Sequence, residues 1–294
     1  MIISRFYGGL GNQMFQYATG RALALRHQTP LVADSRPFRS YKLHAYLIDR
    51  FNTVMTNVST MDLGDRVLPP EKRGILSSSV WTIRNRGRLT YFRERSLQYD
   101  PSFESLGDNT YLQGYWQSEK YFRDVGGQLR EELTRPESVD AVNIQVMDEM
   151  KSVLAVSLHI RRGDYVSNSK TLKVHGICGL DYYHEAAAWI ADRTESAPTF
   201  FIFSDDPEWT RENLKLPHPM RFVSHNGVAD PWLDLQLMRS CQHHIIANSS
   251  FSWWGAWLNA SDRKIVVAPA RWFADPDKDD RDIVPETWFR LGPK

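Results

Sequence analysis

Residues 153–165 read Val153-Leu154-Ala155-Val156-Ser157-Leu158-His159-Ile160-Arg161-Arg162-Gly163-Asp164-Tyr165. Six of the first eight are apolar, the pattern of a strand buried on both faces. The strand runs without a spacer into a histidine, two arginines, a glycine and an aspartate. Guanidinium groups at the end of a buried strand need an anion, and their planar fork matches phosphate bidentately. Gly163 lets the chain turn sharply. In open α/β sheets, ligands collect at the carboxyl ends of the strands. Arg161 and Arg162 are therefore candidates to hold a diphosphate. The competing reading is an internal ion pair with Asp164 or another acid.

Downstream, the same theme recurs. Pro198 to Phe203 is a buried strand ending in Ser204-Asp205-Asp206-Pro207, and His243 to Ala247 is a strand ending in Asn248-Ser249-Ser250. Helices are expected over 181–191, 232–240 and 251–258, with short strands at 220–223 and 264–268. Strands alternating with helices argue for a parallel sheet of βαβ units. Brought side by side, the three polar strand ends form one site. Ser249, Ser250 and the amides opening the next helix can donate to phosphate oxygens. Asp205 or Asp206 can accept from the N1 and N2 hydrogens of guanine. Against this, Asp206-Pro207 can simply cap a helix, and Ser249 or Ser250 can be a plain N-cap.

Upstream, Met1 to Tyr7 and Pro30 to Asp34 read as strands flanking a glycine-rich turn, Gly8-Gly9-Leu10-Gly11-Asn12-Gln13, and a helix over 14–26. The turn half-matches a dinucleotide fingerprint, with Asp34 near the place of a ribose-binding acid. That makes a nicotinamide oxidoreductase the rival class. Met14 stands where the third glycine belongs, and the arginine strand would go unused. Residues 111–117 read as a strand and 118–133 as a helix. A helix over 139–150 leads into the 153–160 strand. The domain boundary is expected near 135–150, giving lobes 1–145 and 146–294.

Composition narrows the class. Thirty-six basic and 35 acidic residues leave a net charge of +1, which argues against a nucleic-acid partner. Cys178 and Cys241 lie far apart, fitting a reducing compartment better than a disulfide framework. No window approaches the ~18 apolar residues of a spanning helix. The expectation is a soluble, cytoplasmic protein, with peripheral contact at the inner face of a membrane left open. The 275–286 segment has calcium-loop spacing, but position six is Asp280 rather than glycine, so a solvated acidic loop is expected. No zinc spacing, nucleophile elbow or P-loop occurs.

The His159-Ile160-Arg161-Arg162-Gly163-Asp164-Tyr165 stretch resembles a motif of the bacterial and animal α-1,2-fucosyltransferases, glycosyltransferase family 11. Residues 8–18, 114–122, 203–206 and 247–255 resemble further blocks of that family, in its order and across nearly the whole chain. The resemblance implies an α/β, GT-B-like fold of two Rossmann-like lobes, with a parallel sheet in the C-terminal donor lobe. It implies inverting transfer of fucose from GDP-β-L-fucose, without a cofactor or required metal, to the 2-hydroxyl of a β-galactoside on an oligosaccharide or glycolipid. O-antigen chains are the expected targets. By position, Arg161 and Arg162 fall on diphosphate-binding arginines, and Asp205 or Asp206 on the guanine-binding acid. Gly9, Gly11, Asn12, His159, Asn248, Ser249, Ser250 and Phe251 complete the donor-site candidates. Asp164 is the nearest candidate for a general base, and orienting Arg161 is its other reading.

Overall fold

The computed structural model describes residues 1–40, 43–59, 68, 89–134, 140–163, 169–227 and 229–292. The chain divides into two compact units, Met1–Arg135 and Pro136–Lys294. The division falls ahead of the expected 145/146 boundary, so the helix preceding the arginine strand belongs wholly to the second unit.

The first unit carries β1 (Ile2–Arg5), α1 (Leu10–Arg26), β2 (Leu31–Asp34), β3 (Thr56–Asn57), β4 (Thr90–Arg93), β5 (Thr110–Gln113) and α2 (Gly126–Glu132). Among the described residues its strands lie in the order β3-β2-β1-β5-β4, all pairs parallel. Helix α1 starts at Leu10, four residues earlier than expected, so the turn is only Gly8-Gly9 and Gly11, Asn12 and Gln13 form the first helical turn. Gly8 has φ +85°, and a Cβ there would meet Asn12 Nδ2 at 2.9 Å. The close helix–strand approach falls to Gly20, where a Cβ would meet Leu31 Cδ1 at 2.8 Å and Ser4 Cβ at 3.0 Å. The helix expected over 118–133 is two short 3-10 turns followed by α2.

The second unit carries α3 (Ala141–Ser152), β6 (Leu154–Ile160), α4 (Ser169–His175), α5 (Leu180–Ala191), β7 (Pro198–Ser204), α6 (Pro207–Asn213) and β8 (Met220–Val223). Then follow α7 (Pro231–Ser240), β9 (His243–Ile245), α8 (Ser250–Leu258), β10 (Val266–Pro269) and β11 (Phe289–Leu291). The sheet order is β11-β10-β9-β6-β7-β8, again all parallel. This is the doubly wound order, with the strand sequence reversing between β6 and β9. β6 is buried on both faces, as its composition predicts. Val156, Leu158 and Ile160 pack with Tyr183, Ala186 and Ile190 of α5. Ala155, on the opposite face, shares a cluster with Met150 of α3 and with Leu237 and Met238 of α7.

One buried charge ties the first unit together. Glu132 accepts from Arg21 Nη2 at 2.7 Å and from the Tyr17 hydroxyl, with side-chain exposures of 12% for Arg21 and 8% for Glu132. Removing one member of a buried pair leaves the other uncompensated. Glu132→Ala should therefore lower unfolding free energy by about 3–5 kcal/mol. Urea denaturation measures this, and a loss under about 1 kcal/mol would show that the pair is screened by solvent.

Candidate active site

The parallel register of β6 and β7 sets the site. His159 lies opposite Phe203 and Ile160 opposite Ser204, so continuing by one and two residues brings Arg161 beside Asp205 and Arg162 beside Asp206. Arg161 Nε lies 3.1 Å from Asp205 Oδ2, and Arg162 Nε 3.4 Å from Asp206 Oδ2. The Arg162 backbone N–H donates to Asp205 Oδ1 at 2.8 Å. The Arg162 guanidinium also sits 3.4 Å from the centroid of the Trp209 ring, a cation–π contact. Trp209 carries no signal in the sequence, because its contact depends on α6 turning back beside the arginine. Gly163 lets the Asp205 carboxylate approach: a Cβ there would lie 2.6 Å from Asp205 Oδ2 and would displace it. The ion-pair alternative thus describes both arginines, with the acids supplied by the end of β7. Asp206 also caps α6, accepting from the Trp209 amide at 3.4 Å. Asp164 lies outside the described residues.

At the strand-order reversal, β9 ends against the start of α8. Ser249 is the N-cap of α8, its Oγ accepting from the Phe251 amide at 3.3 Å. Ser250 opens the helix, whose first turn carries the amides that favour an anion. The Asn248 Nδ2 donates to the backbone carbonyls of His175 at 2.8 Å and Trp272 at 3.2 Å, so its side chain fastens two loops. His159 is buried, 5.8 Å from the Phe251 ring, and its Nδ1 has no hydrogen-bond partner among the described residues. Burial, with the nearby Arg161 charge, pushes its pKa down to about 3, so the ring is neutral.

The model of glycosyl transferase family 11 matches residues 3–291. The chain belongs to glycosyl transferase family 11. An Escherichia coli alpha-1,2-colitosyltransferase is 35% identical over 99% of this chain and 99% of its own length. Galactoside alpha-(1,2)-fucosyltransferase 1 of Leontocebus fuscicollis is 30% identical over 87% of this chain, which spans 64% of that protein. Among solved structures, the fucosyltransferase NodZ from Bradyrhizobium superposes with a TM-score of 0.53 at 17% identity, covering 86% of this chain and 91% of its own. The fold is of the GT-B class, built on two parallel α/β sheets.

In this family 11 glycosyl transferase the remaining candidates take varied places. Gly9 precedes α1 as its N-cap and Gly11 is buried within it. Asn12 Oδ1 accepts from Gln117 Nε2 at 2.7 Å, joining the first turn of α1 to the segment after β5. Gln13 and Gln16, which sequence reasoning passed over, are buried clamps. Gln13 binds the Gly8 and Ala45 carbonyls and the Leu47 amide. Gln16 binds both backbone groups of Tyr7. Asp34 is no ribose ligand, being held by Arg36 at 2.7 Å and by the Tyr111 hydroxyl at 2.6 Å. Burial raises its pKa, but those hydrogen bonds outweigh it and leave the carboxyl below its usual range. Asp280 of the acidic tail pairs with Arg290 at 3.0 Å. Among the described residues no three His, Cys, Asp or Glu side chains form a metal cluster, and no helix is long and apolar enough to cross a membrane. Cys178 and Cys241 are both free thiols.

His244 is likewise buried and neutral, between Ser157 Oγ at 2.8 Å and Asn259 Nδ2 at 2.9 Å. Both histidines have folded pKa values below the usual 6.5. Between those values the unfolded chain binds the extra protons, so stability is complete above about pH 6.5 and falls as pH drops. His159 should remove on the order of 2 kcal/mol between pH 6.5 and 5, and His244 acts in the same direction. Denaturant titrations at both pH values check this; equal midpoints would place the imidazoles in water.

Proposed function

We propose that the protein transfers L-fucose from GDP-β-L-fucose, with inversion, to the 2-hydroxyl of a terminal β-galactoside, in O-antigen or related oligosaccharide synthesis. The observation that carries the reading is the convergence of Arg161, Arg162 and the α8 N-terminus on the strand-order reversal of a doubly wound sheet. Membership of the family and the NodZ crystals grown with GDP (TM-score 0.53) support it. The acids engage the Nε edge of each guanidinium. Two arginines against two aspartates are neutral overall, so an incoming diphosphate also needs Ser249, Ser250 and the α8 amides.

In the reaction the fucose–phosphate bond breaks through an oxocarbenium-like state, and negative charge grows on the departing GDP. Arg161, Arg162 and the α8 N-terminus stabilise that charge without a required metal. Each charge-assisted hydrogen bond contributes ~1.5–3 kcal/mol, and more where water is excluded. Asp205 or Asp206 turns to the guanine edge, Asp206 being the more exposed at 38% against 23%. Asp164 takes the acceptor proton. His159 shapes the site from behind it, against the Phe251 ring.

A second donor has specific support. Colitose is fucose without its 3-hydroxyl, and a relative at 35% identity is a colitosyltransferase. Assaying GDP-fucose and GDP-colitose with a galactoside panel, and locating the new linkage, decides between them. Calorimetry should show GDP binding in EDTA and no NAD binding; absence of GDP binding refutes the reading. Arg162→Lys should lose at least ~100-fold in kcat/KM, because a point charge replaces neither the fork nor the Trp209 stack. Near-wild-type turnover in that variant contradicts the arginine assignment.

A further inference from the structure

A cavity of about 320 Å³ opens at the carboxyl ends of β9, β10 and β11. Its wall combines Asn248, the 175–179 loop, the first turns of α5, and residues following β10 and β11. Strand order places it on the β9 side of β6, whereas Asp205 and Asp206 stand on the β7 side. Two contacts join it to the phosphate-binding turns. Asn248 lines the cavity and immediately precedes Ser249, and it accepts from the Cys178 thiol at 3.6 Å. Cys178, also in the wall, lies beside the Tyr183 hydroxyl, which reaches toward the Arg161 backbone. That hydroxyl is buried and meets neither neighbour in full hydrogen-bond geometry.

We propose that this cavity receives the glycosyl residue of the nucleotide-sugar donor. The inference rests on the reading that Arg161, Arg162 and α8 hold the diphosphate. A sugar esterified to the outer phosphate lies one linkage beyond it, and this recess shares Asn248 with the turn that opens α8, on the β9 side of β6, away from the base-reading acids. The volume lies in the range of small-molecule pockets. The lining suits an uncharged deoxyhexose. Phe273 and Ile177 offer apolar surface to the methyl group and the C–H face of the ring, while Asp181 and Glu185, four residues apart on α5, can accept from hydroxyls. The wall is preformed, since Asn248 fixes the 175–176 backbone and Trp272 by hydrogen bonds.

Ile177 is 40% exposed, so enlarging it should not disturb the core. In the full-length enzyme, Ile177→Trp should raise KM for the sugar nucleotide by at least about tenfold, with GDP inhibition and acceptor KM unchanged. Glu185→Gln should raise donor KM about threefold or more with the same selectivity. Thermal melting of each variant confirms folding. Unchanged donor KM in both variants overturns the proposal. Parallel weakening of GDP inhibition would place the nucleoside in the cavity, and a change confined to acceptor KM would place the acceptor there; either outcome overturns it. Failure of wild-type enzyme to bind GDP would instead remove the diphosphate reading beneath it.

Discussion

The parallel ladder between β6 and β7 is the constraint from which the site follows. Seven paired positions, from Leu154↔Pro198 to Ile160↔Ser204, fix the strands in register. A slip of one residue would turn every β6 side chain to the other face of a sheet whose two faces are both packed. The register is therefore enforced by two hydrophobic clusters, and its consequence is electrostatic. Two arginines leaving one strand meet two aspartates leaving the next. The acids fix the orientation of the guanidinium groups and offset their charge.

The strand-order reversal supplies the backbone amides at the start of α8. With β7 and β8 to one side of β6 and β9, β10 and β11 to the other, the turns after β6 and β9 diverge and leave room above the sheet. The turn after β9 is stiffened from within. Ser249 caps α8 and Asn248 staples neighbouring loops, so the start of the helix is held from both sides. Behind them Trp253, Trp254 and Trp257 anchor α8 in a ring cluster with Trp288. The abundance of tryptophan is thus largely a matter of packing. Trp116 follows the same rule in the first unit, being fully buried against Phe92 despite a left-handed φ of +57°.

Legibility in the sequence tracked how local the cause was. Buried strands such as Val153–Ile160 and Pro198–Phe203 declared themselves through continuous apolar runs, and most helices of the second unit through periodicity and caps. Thr90–Arg93 and Phe289–Leu291 are short, partly exposed edge strands without such a run, and only their neighbours' ladders make them strands. Helix α1 began early because Gly11, a poor helix former, is buried where packing overrides propensity. Asp34 fitted a ribose acid by spacing alone, yet Arg36 and Tyr111 occupy it.

By itself, the sequence determined the alternating architecture, the arginine pair at a strand end, and the family to which its motifs belong. Each of these is written in contiguous residues, where burial and turn chemistry act over a few positions. Only the tertiary structure decided that Asp205 and Asp206 are the arginines' partners, that Trp209 stacks on Arg162, and that Asn248 is a staple. These contacts join residues tens of positions apart through strand register, and register is set by the packing of the whole sheet.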